Sequence, residues 1–223
     1  MKAMIFAAGL GTRLRPFTGT LPKALIEVGG KPMIERIILK LKSSGFSEIL
    51  INLHHFPNQI KNFIEKKNAF GLNIQFSDES DQLLETGGGL KKAAWFFDDG
   101  KPFVVHNVDV LSNVNLLEMV GFHQKNKALA TLFVQERQTS RYLMMNDQNR
   151  LAGWQNEKTG ETRFCFSDEK VPKKMAFNGI HVIDPIIFRL FTEDGKFSII
   201  ETYLRLATSH TIVGYSPEKV KYL

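Results

Sequence analysis

The chain has 223 residues, 43% of them hydrophobic and 23% charged, and carries a net charge of +6 at neutral pH. That balance belongs to a soluble globular protein with enough apolar material for one α/β domain. It excludes a membrane-spanning chain, since no run nears the roughly 20 apolar residues that a bilayer requires.

The opening Met1–Phe6 is apolar over too few residues for a signal sequence and runs straight into Gly9 and Gly11, so the cytoplasm is the expected compartment. The single cysteine, Cys165, has no disulfide partner and reads as a buried bystander thiol in a strand. Positive charge is spread along the chain, densest at Lys66-Lys67, Lys91-Lys92 and Lys173-Lys174. It suits phosphate-bearing partners, but no nucleic-acid reader motif accompanies it, so neither nucleic acid nor membrane is expected as a partner.

Lys2–Ala7 reads as a strand leading into a long Gly/Thr/Pro loop. Pro32 is placed to open a helix, with Met33, Ile34, Ile37, Ile38 and Leu41 on one stripe. Gly45 ends that region and Ile49–Leu53 follows as a strand. Pro57 starts a second helix with Ile60, Phe63 and Ile64 inward, and Leu72, Ile74 and Phe76 alternate as in a strand. Leu90, Ala93, Ala94 and Phe97 recur at helical spacing directly behind Gly87-Gly88-Gly89. A buried strand, Phe103–His106, ends in Asn107-Val108-Asp109, and a helix near Leu116–Gln124 leads to a strand over Ala128–Gln135. This βαβα order predicts an α/β fold: a Rossmann-like, doubly wound, mostly parallel sheet with helices on both faces.

From about Arg141 the texture changes. Short pieces (Tyr142–Met145, Leu151–Trp154, Arg163–Phe166, Ala176–Ile183) predict a smaller mixed or antiparallel subregion packed on the main sheet and closed by a helix over Ile199–Ala207. No repeat, low-complexity tract or linker interrupts the chain. One domain over 1–223 is expected, with a core over 1–135 and a subregion over 136–223.

The strongest chemical signal is the first loop, Ala7-Ala8-Gly9-Leu10-Gly11-Thr12-Arg13-Leu14-Arg15-Pro16-Phe17-Thr18, continuing to Leu21-Pro22-Lys23. It follows a buried strand, at the carboxyl edge of the sheet where α/β ligands bind. Two glycines let the backbone approach a phosphate or base, Arg13 offers a fork of donors and Lys23 a compact positive charge. Rival motifs fail: no G-x-x-x-x-G-K-S/T occurs, Gly29-Gly30-Lys31 runs into Pro32, and Gly9-x-Gly11 lacks the third glycine of a dinucleotide fingerprint. Asp109, just past a strand at the same edge, is the hard oxygen ligand that Mg²⁺ prefers beside phosphates; its plain alternative is a turn cap.

At its full length, Gly9-x-Gly11-Thr12-Arg13-x-x-Pro16-x-Thr18-x-x-x-Pro22-Lys23 resembles the signature loop of the sugar-1-phosphate nucleotidyltransferases without a gap. Lys31-Pro32-Met33-Ile34 is similar to that family's K-P-L/M-I helix start. Glu85-Thr86-Gly87-Gly88-Gly89 resembles the E-T-G-G-G of its branch acting on N-acetylmuramate 1-phosphate, and His106-Asn107-Val108-Asp109-Val110 its metal motif N-G-D-V. Asn178-Gly179-Ile180 resembles the sugar-side N-G-I segment, so the likeness spans roughly residues 1–215.

The resemblance implies transfer from a nucleoside triphosphate to a sugar 1-phosphate with release of pyrophosphate. Mg²⁺ is the implied cofactor, and the implied partners are these small molecules and at most a small homo-oligomer. It assigns Arg13 and Lys23 to catalysis, and Ala7, Ala8, Gly9, Gly11, Thr12, Arg13, Thr86, Gly87, Gly88 and Asn107 to the nucleotide. Gly88, opening a helix, is expected close to the base. Lys23, Asn178 and Gly179 fall to the sugar phosphate, making 136–223 the sugar-binding part, and Asp109 to the metal. The favoured pair is UTP with N-acetylmuramate 1-phosphate, in a cell-wall recycling route. The alternatives are guanylyl transfer to mannose or heptose 1-phosphate, and a nucleotide-sugar binding protein without turnover.

Two departures stand out. Val108 occupies the glycine before the metal aspartate. At the far end, Tyr215-Ser216-Pro217-Glu218 replaces the W-x-D-V/I-G-T/K segment that supplies a second carboxylate. The chain is therefore expected to be shortened relative to an active parent, to hold Mg²⁺ by Asp109 and nucleotide alone, or to lack catalysis, and no appended acyltransferase or regulatory domain is expected. His54 and His55 read as surface or packing residues, His106, His123, His181 and His210 lack metal-ligand spacing, and Trp95, Trp154 and Tyr215 are expected in the core.

Overall fold

Alternation within single strands builds the centre of the fold. In β1 (Lys2–Phe6), Ala3 and Ile5 face one apolar cluster while Met4 and Phe6 face another, so both sides of the strand are buried. The computed structural model describes residues 1–14, 16–166, 172–218 and 220, without the side chains of Arg13 and Phe17. After β1 come a two-residue hairpin, β2 (Glu27–Val28) and β3 (Lys31–Pro32), then α1 (Met33–Ser43), β4 (Glu48–Leu53), α2 (Pro57–Lys66), β5 (Asn73–Asp78) and α3 (Glu85–Lys92). The chain continues through β6 (Phe103–Asn107), α4 (Leu116–Lys125), β7 (Ala130–Gln135), β8 (Arg141–Met145), β9 (Leu151–Asn156) and β10 (Thr162–Phe164). It closes with β11 (Lys173–Ile183), the short α5 (Ile187–Leu190), α6 (Ile199–Leu206) and β12 (Ile212–Tyr215).

Among the described residues ten strands form one sheet in the order β10-β9-β8-β11-β6-β1-β4-β5, with β7 also on β11 and β12 on β7. The run β6-β1-β4-β5 is parallel, as is β7 with β12, while β11 is antiparallel to β6, β7 and β8. Helices α1, α2 and α4 cover one face through Ile34, Ile38, Ile60, Ile64 and Met119. Helices α3, α5 and α6 cover the other through Leu90, Ile187, Tyr203 and Leu206. The doubly wound α/β architecture is the expected one, and no helix among the described residues is long and apolar enough to cross a membrane.

Three features differ from the sequence expectation. The 136–223 region does not form a separate layer on the sheet: β8, β9 and β10 extend the sheet itself, because the long β11 serves both parts. The triplet Gly87-Gly88-Gly89 lies inside α3 instead of ahead of it. Trp95, expected in the core, is 54% exposed and meets only the edge of Phe96 among rings.

The pairing of β11 with β7 shifts register between Phe177 and His181. Asn178-Gly179 sits at that bulge, and Gly179 has φ +67°, a left-handed conformation that glycine adopts without strain. The bulge bends β11 where it passes from β8 to β6, beside the end of β6 where Asn107 stands.

Candidate active site

Three parallel strands, β1, β4 and β6, end at one edge of the sheet, and a cavity of about 370 Å³ opens there. Its walls include Phe6, Ala8 and Gly9 after β1, Asn52 of β4, and Asn107, Val108 and Asp109 after β6. Lys23 enters from the short helical turn that follows the first loop, and Leu83, Glu85, Thr86 and Ser198 close the opposite side. Of the residues expected at the site, Ala8, Gly9, Lys23, Thr86, Asn107 and Asp109 meet around this one cavity.

Lys23 and Asp109 form an ion pair across the cavity, 86 positions apart in sequence, with side chains 16% and 32% exposed. The pair presents a cation and a hard carboxylate side by side, and each is partly open to a ligand. Val108 is buried, its N–H donates to the Phe6 carbonyl at 3.1 Å, and its φ is not left-handed. An ordinary backbone therefore carries Asp109 to the edge without the glycine usual in the resembled motif.

The first loop is braced from beneath. The Ala7 N–H donates to Asn52 Oδ1 at 2.7 Å, and Asn52 Nδ2 donates to Glu79 Oε1 at 2.8 Å. Glu79 Oε2 accepts from the Leu84 N–H at 3.2 Å, so a buried relay ties the two walls of the cavity together. Burial pushes the Glu79 carboxyl upward, against the hydrogen bonds from Asn52 and the Leu84 N–H. Asn52 and Glu79 were not singled out from the sequence. The available signal was a polar residue inside the apolar strand Ile49-Leu50-Ile51-Asn52-Leu53, which must find a partner once buried.

Gly11 has φ +62°, and a Cβ there would stand 2.7 Å from Thr18 Cγ2; the Thr18 hydroxyl donates back to the Gly11 carbonyl at 3.0 Å. Thr12 is exposed on the following turn, and the side chain of Arg13 lies outside the described residues. Glu85, at the start of α3, holds φ 60°, an uncommon conformation for a non-glycine residue, on the cavity wall.

Gly87 and Gly88 do not line the cavity. A Cβ on Gly87 would meet the Phe197 ring at 2.3 Å, one on Gly88 the Gly195 carbonyl oxygen at 2.1 Å, and one on Gly89 the Glu79 carboxylate at 2.7 Å. Both the Gly87 and Gly88 N–H groups donate to the Phe197 carbonyl, so these amides at the start of α3 are already engaged. The Thr86 hydroxyl accepts from the Ile199 N–H at 3.0 Å and fixes the start of α6. The close approach these glycines permit is between α3 and the 195–197 segment.

Asn178 is buried with its amide in use: Nδ2 donates to Gln135 Oε1 at 2.9 Å, and Oδ1 accepts from Arg137 Nε at 2.9 Å. A Cβ on Gly179 would lie 2.4 Å from Asn107 Nδ2. Gly179 thus packs directly against Asn107, while Asn178 is held by Gln135 and Arg137. His54 Nδ1 bonds the Glu79 carbonyl at 2.7 Å and His55 Nε2 the Thr18 carbonyl at 3.2 Å, roles of loop fastening. His106, His123 and His181 are buried, and desolvation lowers them to about 4, about 4 and about 3, so they are neutral at pH 7.

The family model for nucleotidyl transferases matches residues 2–152, a stretch that contains the first loop, Lys23, the Asn52–Glu79 relay and Asp109. The chain is 33% identical over 224 residues to the N-acetylmuramate alpha-1-phosphate uridylyltransferase of Caulobacter vibrioides, covering 97% of this chain and 88% of that one. It is 32% identical to the mannose-1-phosphate guanyltransferase of Yarrowia lipolytica over 98% of this chain, and spans 59% of that relative's length. The crystal structure of HddC from Yersinia pseudotuberculosis complexed with GMP-PN superposes with a TM-score of 0.78 at 20% identity, covering 100% of this chain and 92% of that one, a likeness of fold.

Proposed function

We propose that this chain, which belongs to the nucleotidyl transferase family and within it is a sugar-1-phosphate nucleotidyltransferase, takes UTP as its donor and N-acetylmuramate 1-phosphate as its acceptor. The observation that carries the reading is the convergence of the first loop, Lys23, Asn107 and Asp109 on one cavity at the carboxyl edge of parallel strands. The similarity to the Caulobacter enzyme along nearly its whole length supports the choice of substrates.

In the reaction, an oxygen of the sugar phosphate forms a bond to the α-phosphorus of the nucleotide while the bond from that phosphorus to the bridging oxygen of pyrophosphate breaks. Both reactants are anions, so most of the catalysis is alignment and neutralisation of charge. The braced backbone at Ala8–Gly9 holds the nucleotide against the sheet edge. Lys23 stands where the phosphates meet, and Arg13 supplies the second cation of the loop.

Asp109 fits a Mg²⁺ site in its chemistry: one partly exposed carboxylate beside a phosphate pocket, the donor set that leaves the remaining positions to phosphate oxygens and water. Mg²⁺ bound there supplies charge neutralisation on the triphosphate. Among the described residues no group of three metal-ligating side chains accompanies Asp109.

Pyrophosphate release with Mg²⁺, measured for UTP, GTP, CTP and dTTP against a panel of sugar 1-phosphates, tests the assignment. Turnover confined to UTP with N-acetylmuramate 1-phosphate supports it. Turnover with GTP and mannose 1-phosphate would move the chain to the guanylyl branch, as the Yarrowia relative would favour. Tight nucleotide binding with no turnover for any pair would make it a binding protein.

A further inference from the structure

Beside the first cavity lies a second, of about 530 Å³, and the two share Asn107 and Ser198 in their walls. Its floor is one face of the antiparallel strands at the sheet's far edge. Register sets Arg141 opposite Asn156, Leu143 opposite Trp154, and Trp154 opposite Arg163, so alternate residues of β8, β9 and β10 point to the same side. Helix α6 provides the facing wall through Ile200, Glu201 and Leu204.

Two arginines line this cavity, and their circumstances differ. Arg163 donates to Glu161 at 2.6 and 2.8 Å, stands 3.9 Å from Glu201 and lies 5.6 Å from the Trp154 ring centre, so its charge is already balanced within the protein. Arg141 joins no ion pair among the described residues, although it lines the same space. Among the described residues the cavity is therefore polarised: carboxylates and a satisfied arginine at the β10 end, a guanidinium without a counter-charge at the start of β8. An acidic ligand is repelled from the first end and drawn to the second. A guanidinium in this state matches a carboxylate through two parallel hydrogen bonds, while Trp154, on the same side of the strands, offers apolar surface to a sugar ring.

We propose that the second cavity receives the sugar of the acceptor and that Arg141 selects a carboxylate-bearing sugar 1-phosphate over its neutral counterpart. The inference rests on the transferase reading above, and deepens it. With the sugar in the second cavity, its 1-phosphate passes Asn107 into the first, where Lys23 stands. The acid group points away from the reacting phosphate, so Arg141 reads the substituent and not the phosphate common to all acceptors.

N-acetylmuramate 1-phosphate and N-acetylglucosamine 1-phosphate differ only by a lactyl ether that carries a carboxylate, so they isolate the effect. Arg141→Ala is expected to lower kcat/KM for the acidic acceptor at least about tenfold, mainly through KM, and to change the neutral one by less than about twofold. Arg141→Lys, which keeps the charge but loses the fork, is expected to restore part of the preference. Equal losses for both acceptors, or no preference in the unaltered protein, would overturn the assignment. Calorimetric binding of the two sugar phosphates, which needs no turnover, separates the two claims. Acid-selective binding that depends on Arg141 without any pyrophosphate release retains the selector and removes the transferase. Turnover without Arg141-dependent selectivity does the reverse.

Discussion

Two glycine-rich segments border the same cavity, and the protein uses them in opposite ways. At Gly9 a Cβ would meet nothing within 4 Å, so the backbone lies bare to the cavity. At Gly87, Gly88 and Gly89 a Cβ would collide at 2.3, 2.1 and 2.7 Å with Phe197, the Gly195 carbonyl and Glu79. The first segment leaves room for something that is not protein; the second lets two parts of the protein touch. Absence of a side chain is an invitation to a ligand only where the space it leaves is open.

The contrast should be sharpest at the charged residues assigned to the ligand. Arg13→Ala and Asp109→Ala are each expected to lower kcat about 10²–10³-fold, or about 3–4 kcal/mol of barrier, as for loss of a preorganised charge at a transition state. Stability should shift by no more than about 1 kcal/mol for Asp109→Ala, since a partly exposed ion pair contributes little. Steady-state pyrophosphate release together with urea unfolding checks both, and a mutant with an unchanged rate removes its residue from the mechanism.

The closed segment should answer in the other measurement. In Gly88→Ala the new methyl faces a backbone carbonyl that has no rotamer to give way, so α3 and the 195–197 segment must part. A loss of about 1–3 kcal/mol is expected on unfolding, with nucleotide affinity per folded molecule little changed. Should Gly88→Ala unfold like the parent yet bind nucleotide poorly, the two segments would have to exchange roles.

Acid should weaken the packed part and not the open one. His106, His123 and His181 are held neutral by burial, at about 4, about 4 and about 3 against an ordinary 6.5. Below pH 6.5 the unfolded chain binds protons that the folded chain refuses, so stability falls as pH falls towards 4. The slope reaches at most about 1.4 kcal/mol per pH unit for each histidine. Urea midpoints at pH 7 and pH 5 measure it, and equal midpoints would mean that these rings are already hydrated in the folded protein.

The same division decides what the sequence made legible. Signals carried by neighbouring residues were readable: prolines at the starts of α1 and α2, alternation in β5, the first loop after β1, Asp109 after β6. What escaped depends on partners far along the chain. Asn52 reaches back 45 positions to Ala7, and Gly88 meets Gly195 across more than a hundred residues, so no local window holds both halves of either contact. The glycine triplet shows the difficulty plainly. Its spacing is compatible with a ligand-facing turn or with a tight helix crossing, and only the position of residues 195–197 distinguishes them. Asn178 was similarly ambiguous, since a buried amide with two partners and a sugar ligand look alike in one dimension.

The smallest expected effect on folding is also the most discriminating. Gly9 does not hold a left-handed φ and has no neighbour within 4 Å of a Cβ, so Gly9→Ala introduces neither strain nor collision. Its stability should stay within about 0.5 kcal/mol of the parent, with a slight gain from the stiffer unfolded chain. Yet Gly9 forms part of the cavity wall, where a phosphate or base must approach the backbone, and a methyl there occupies space now open. Nucleotide binding is therefore expected to weaken by about tenfold, the loss of roughly one well-made contact. Because the fold is unaffected, calorimetry on Gly9→Ala reads the ligand alone. Undiminished affinity would place the nucleotide on some other wall, and the bareness of Gly9 would need a different cause.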